Sequence, residues 1–265
     1  MDSKWIQPPQ NSIDAIAHGM TYSDGSEFDV RLTVDGELAL HHNAKIEIEG
    51  QKEGLFPYVE QNHSDDLRAA GFDIFSELIE DARVKSSWIN GCSTACIEIK
   101  RPHPRAKIVG TYFSSSGMTE HVSEIMKNID SQLSPLDIPE RNTVIISFDP
   151  KTMIAHNLSK IAIPAAPISP SIRPWGPAPI RRAMALPSYG RRTVVGMVEH
   201  WQEIGAPLLP LAFKHLHSWS KFLHLGRTYS YKGKSLKKLN QIRRGFPIHV
   251  WPTPMGIEKD IISGG

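Results

Sequence analysis

The chain has 265 residues, 40% hydrophobic and 22% charged, with a mean hydropathy of −0.29. That is a globular composition, long enough for one large domain, with no apolar run of membrane-spanning length. The formal charge of +2 hides an asymmetry, because residues 181–265 hold 14 Lys and Arg against 4 Asp and Glu. Aromatics do not interleave with these cations, so no nucleic-acid partner is expected. The run KGKSLKKLNQIRRG reads as a solvated helix face, or else as a surface drawing an anionic substrate or lipid head groups.

In chain order, MDSKWIQPPQNS lacks an apolar signal core, so a cytoplasmic protein is expected. Ala17-His18-Gly19 falls in a first helical segment, with His18 on its surface. A strand EFDVRL (27–32) meets a Thr33-x-Asp35-Gly36 turn and a return strand ELALHH (37–42). A helix follows over 72–85, then two reduced thiols, Cys92 and Cys96, whose spacing has no partner motif for zinc. Strands ACIEIK (95–100), TVIISF (143–148) and KIAIPA (160–165) come next, with a helix over 118–133 between the first two. The proline-dense stretch PAAPISPSIRPWGPAP (164–179) excludes regular helix or central strand and reads as a long loop. A helix over 191–205, a strand PLLPLA (206–211), a helix over 234–245 and a strand PIHVW (247–251) complete the chain. Strands separated by amphipathic helices argue for parallel βαβ units, and no second domain with its own core is evident, so residues 1–265 read as one domain.

The chemistry lies in the carboxylates. Alternate strand residues share a face, which pairs Glu27 with Asp29 and Glu98 with Lys100. Three carboxylates converging at strand ends make an oxygen-rich site suited to Mg²⁺ or Ca²⁺, and a lysine beside them favours a phosphate. His41 and His42 alternate, so only one should face that site. His200, His215, His217 and His224 have no fixed ligand spacing.

Glu27-Phe28-Asp29-Val30, Thr33, Asp35-Gly36 and Leu38-Ala39-Leu40 with His42 resemble the opening motif of the glycerophosphodiester phosphodiesterase family. Asn43 stands where that family usually has Asp. Pro9-Gln10-Asn11-Ser12 resembles its Pro-Glu-Asn-Thr, Ile97-Glu98-Ile99-Lys100 its third-strand motif, Ser147-Phe148-Asp149 its fourth strand end, and Val250-Trp251 its seventh. The resemblance runs over about residues 8–260 and implies a (β/α)₈ barrel. It further implies that Glu27, Asp29 and Glu98 hold a divalent cation, Mg²⁺ or Ca²⁺, that His42 handles a proton, and that Lys100, Ser147 and Trp251 contact substrate. The implied reaction is hydrolysis of a glycerophosphodiester to sn-glycerol 3-phosphate and an alcohol. A lysophospholipid-cleaving, phospholipase D-like relative and a phosphodiester binder without turnover are the alternatives. The family's first-strand His-Arg-Gly would fall near Met1, where Met1-Asp2-Ser3 stands, and its last strand has no counterpart after Ile262. The barrel is therefore expected to lack its first and last strands.

Overall fold

In a computed structural model describing residues 6–46, 54–108, 115–136, 138, 142–169, 194–212 and 245–251, the Thr33–Gly36 turn makes a hairpin. Strand β1 (Gly25–Leu32) turns back into β2 (Leu38–Leu40), antiparallel, with Val30 opposite Leu40 and Leu32 opposite Leu38. Gly36 supplies the left-handed φ of +85° that the turn requires. Thr33 Oγ1 and Ser64 Oγ both donate to Asp35, which holds that carboxyl down at about 2 despite some burial.

The chain packs as two compact units, Met1–Ile146 with Ile154–Pro164, and Ser147–Met153 with Ala165–Gly265. In the first, the strand order is β2-β1-β3-β4, where β3 is Thr94–Ile99 and β4 is Thr143–Ser147. β1 and β3 run parallel, from Gly25 opposite Thr94 to Val30 opposite Ile99. They approach so closely at their start that a Cβ on Gly25 would lie 2.1 Å from the Thr94 carbonyl oxygen.

Period-2 alternation along β1 sends Phe28 and Val30, both fully buried, to one face. There Phe28 meets Phe75 at 6.2 Å and the edge of Trp88 at 6.4 Å. Removing such a side chain from water contributes about 1.5–3 kcal/mol. The other face carries Glu27, Asp29 and Arg31. Helix α1 (Ile13–Tyr22) starts where Ser12 Oγ accepts from Ala15 N, and it buries Ile16, Ala17 and Met20. His18 is exposed on it, 4.7 Å from the Tyr22 ring, as expected of a surface residue.

The helix expected over 72–85 is broken. After α2 (Ser64–Ala69), α3 covers Phe75–Glu80, α4 covers Ala82–Val84, and a wider π-type turn covers Lys85–Ile89. The break is Asp81, an N-cap whose carboxylate accepts from the amides of Arg83 and Val84. Helix α5 runs over Ser115–Leu133 and α6 over Thr152–Ser159. Lys160, at φ +59°, ends α6 in a left-handed residue, and residues 161–164 are irregular with a bend instead of the strand expected there. The strand comes later.

In the second unit that strand is β5 (Ala165–Pro167), which corrects the reading of 164–179 as loop throughout. Pro167 ends it, where its carbonyl accepts from Trp201 Nε1 at 2.8 Å. Helix α7 (Val194–Glu203) packs Met197, Val198 and Trp201 against Ala166, Leu209 and Leu211. β6 (Leu209–Ala212) runs parallel to β7 (Ile248–Trp251), and Ser169 bridges to Leu211. Residues 170–179, His215, His217, His224 and the helix expected over 234–245, Gly245 excepted, lie outside the described residues. Among the described residues no helix is long and apolar enough to cross a membrane.

Candidate active site

The β1–β3 register builds the site. Asp29 lies directly opposite Glu98 across a parallel pair, and Glu27 shares Asp29's face two residues earlier. One carboxylate oxygen from each of Glu27, Asp29 and Glu98 can be chosen so that all three lie within 4.8 Å of one another. Asp29 and Glu98 are buried, at 2% and 7% exposure, while Glu27 stands at the exposed edge. The Lys100 ammonium reaches in from the end of β3, 2.8 Å from Asp29 Oδ1 and in contact with Glu98 Oε1.

Three anions share one cation, and the site resists full ionisation. Glu27 keeps some solvent exposure, yet the protein packed around its carboxyl, followed by repulsion from Asp29 and Glu98, pushes its pKa up to about 8. Burial pushes Glu98 up to about 7, against the attraction of Lys100. The carboxylates in turn raise Lys100, outweighing its own burial. Close all-oxygen donors that cannot all ionise beside a single ammonium fit a hard divalent cation, whose charge would let them do so.

A further residue completes the arrangement. Asn11, 8% exposed, donates from Nδ2 to Asp29 Oδ2 at 2.7 Å and accepts from the Asp29 backbone N–H at 2.9 Å. It does so from a left-handed φ of +60°, a conformation asparagine tolerates better than most residues. Asn11 thereby fixes both the backbone and the carboxylate of Asp29. The Pro9-Gln10-Asn11-Ser12 motif was the only signal for it in the sequence, and nothing in that motif names Asp29 as its partner.

His42 lies in the bend after β2, exposed, with Nδ1 3.0 Å from Asn43 Oδ1. His41 donates its backbone N–H to Asp29 O at 3.1 Å, and its ring meets the Phe72 ring edge-to-face at 5.0 Å. Burial and the Arg31 charge lower its pKa. Ser147, fully buried, ends β4, and its Oγ accepts from the Asp149 N–H at 3.2 Å. Trp251 ends β7 opposite Ala212. Ser147 and Trp251 belong to the second unit, whereas the carboxylates, Lys100 and His42 belong to the first.

No protein-family model matches the sequence, and no curated protein does. Solved structures do match. A glycerophosphodiester phosphodiesterase from Thermotoga maritima superposes with a TM-score of 0.54 at 15% identity, over 95% of this chain and 85% of that one. One from Parabacteroides distasonis gives 0.54 at 16%, over 93% and 88%. An Oleispira antarctica phosphodiesterase in complex with the product sn-glycerol-3-phosphate gives 0.51 at 11%, over 93% and 80%. The chain has the fold of these phosphodiesterases. The (β/α)₈ barrel that the family resemblance implies is the fold that this likeness supports.

Proposed function

We propose that this chain is a glycerophosphodiester phosphodiesterase that uses a divalent cation, Mg²⁺ or Ca²⁺, and acts as a single barrel domain in the cytoplasm. The observation that carries the reading is the convergence of Glu27, Asp29 and Glu98 with Lys100. It is supported by the fold shared with phosphodiesterases, one of them bound to sn-glycerol-3-phosphate.

Glu27, Asp29 and Glu98 would hold the cation, which when bound supplies charge neutralisation to a phosphodiester and its developing oxyanions. Lys100, held between Asp29 and Glu98, offers its ammonium to a phosphate oxygen. Asn11 keeps Asp29 from turning away when the local charge changes. With the Asn43 amide oxygen toward Nδ1, the His42 ring donates there and presents the Nε2 lone pair. Nε2 takes a proton from the attacking water as its oxygen bonds to phosphorus. The phosphorus–oxygen bond to the alcohol breaks on the opposite side of phosphorus, where the alcohol oxygen takes a proton from solvent, and His42 gives its own proton up to solvent. The products are sn-glycerol 3-phosphate and the alcohol. The family correspondence also assigns substrate contact to Ser147 and Trp251.

The test is release of sn-glycerol 3-phosphate from glycerophosphocholine, with lysophosphatidylcholine as a second substrate arm. The reading expects turnover with Mg²⁺ or Ca²⁺ that a chelator abolishes and that Asp29→Asn reduces at least a hundredfold. Turnover indifferent to chelator and to Asp29→Asn would overturn it. Binding of glycerophosphocholine without turnover would favour a phosphodiester binder.

A further inference from the structure

Arg31 follows Glu27 and Asp29 on the same face of β1, and its guanidinium is committed in three directions. It is 3% exposed, and its Nη1 lies 2.6 Å from Oε1 of Glu60, whose side chain is 1% exposed. The same Nη1 donates to the Arg101 carbonyl at 3.1 Å, and Nη2 donates to the His42 carbonyl at 2.8 Å. Arg101 directly follows Lys100. One planar group therefore ties together the backbone of the two loops that present His42 and Lys100.

A dry ion pair is weak evidence for stability, because the attraction scarcely repays the loss of hydration. Two apolar residues would fill this space, but they could not hold two backbone carbonyls at a fixed separation. Glu60 serves as the counter-charge that keeps the guanidinium in place. It sits in the short helical turn Val59–Gln61, whose Val59 N–H donates to Ala44 O at 3.1 Å, so the turn is itself fastened to the loop after His42. His41 and His121 also face the Arg31 charge, and both have pKa values lowered, first by burial and then by that charge.

We infer that Arg31, braced by Glu60, is a positioning residue that sets His42 and Lys100 relative to one another through their loop carbonyls. The inference rests on the phosphodiesterase reading for the roles of His42 and Lys100. Lysine in place of Arg31 would keep the charge but not the rigid planar fork that serves two carbonyls and a carboxylate together.

The test is Arg31→Lys in the full chain, followed by nitrogen-15 NMR of histidine-labelled protein, calorimetric titration with Ca²⁺ and steady-state hydrolysis of glycerophosphocholine. The His42 ring resonances should shift while those of His18 stay in place, and Ca²⁺ affinity should stay within about threefold. The kcat should fall about 10²-fold with KM within about threefold, as expected when a reacting group is displaced by about an ångström. Unmoved His42 resonances, an unchanged kcat, or a loss of Ca²⁺ affinity as large as the loss of kcat would each overturn the inference. If Arg31→Lys does not fold, Glu60→Gln decides: it should move the His42 resonances in the same way, and unmoved resonances would overturn the inference. If the wild-type protein does not hydrolyse the substrate, the phosphodiesterase reading fails, while the resonances still report whether Arg31 sets His42.

Discussion

Replacing Asn11 with alanine removes two buried hydrogen bonds at once. One runs to the Asp29 carboxylate at 2.7 Å and the other from the Asp29 backbone N–H at 2.9 Å. A hydrogen bond to a charged group contributes about 1.5–3 kcal/mol and a neutral one about 1 kcal/mol. Alanine at the φ of +60° found here adds strain of about 1 kcal/mol, because its Cβ crowds the following carbonyl. The sum is about 4 kcal/mol, and water reaching Asp29 from the Glu27 side would recover part of it, so a loss of about 3 kcal/mol is expected. Glycine at position 11 removes the same bonds without the strain and should be about 1 kcal/mol better than alanine. Urea unfolding followed by fluorescence measures both, as a lower midpoint with an unchanged slope. An alanine variant within about 0.5 kcal/mol of wild type would refute the claim that Asn11 holds Asp29, since that is the range of an ordinary surface substitution.

Other expectations follow from buried groups. His121 is 7% exposed, and burial, then Arg31, pushes its pKa down to about 4, so it folds as the neutral ring. Its contribution is complete above the ordinary value of 6.5 and is lost as the pH falls toward 4. Relative to His121→Leu, the wild-type protein should lose about 2.5 kcal/mol of unfolding free energy between about pH 7.5 and 4.5, a comparison that cancels the opposite pull of Glu27 and Glu98, whose raised pKa values favour the folded state as the pH falls; a difference independent of pH would contradict the assignment. Gly25→Ala places a methyl 2.1 Å from the Thr94 carbonyl oxygen. It should destabilise by about 2–3 kcal/mol by forcing β1 and β3 apart, read as a lower thermal midpoint. Trp88 is fully buried and donates to Thr143 Oγ1 at 3.1 Å. Trp88→Ala should lower unfolding free energy by about 4 kcal/mol, and a loss below about 1 kcal/mol would show that the site collapses to fill the space.

What the sequence made legible was whatever short-range periodicity controls. Two-residue alternation puts Glu27 and Asp29 on one face, and a parallel strand ending Glu98-x-Lys100 brings the third carboxylate and the ammonium alongside. The hairpin was readable from Thr33-x-Asp35-Gly36, because few other residue sets suit that turn. Long-range side-chain contacts were not readable. Asn11 is 18 residues from Asp29, and Arg31 is 29 from Glu60. Both contacts depend on where loops arrive, which no local pattern encodes. Element ends were also missed where one residue decides them. Asp81 caps a new turn inside an unbroken amphipathic run, and Lys160 adopts a left-handed φ that its residue type does not announce.

The central claim is that Glu27, Asp29 and Glu98 together bind a divalent cation. Crystals soaked in Mn²⁺, with diffraction recorded at the manganese absorption edge, test it most directly. The prediction is one anomalous peak within about 2.0–2.6 Å of an oxygen from each of the three carboxylates, the range of hard-cation bonds to oxygen, with Lys100 displaced from Asp29. A peak elsewhere, or none in Asp29's reach at saturating Mn²⁺, would contradict the account.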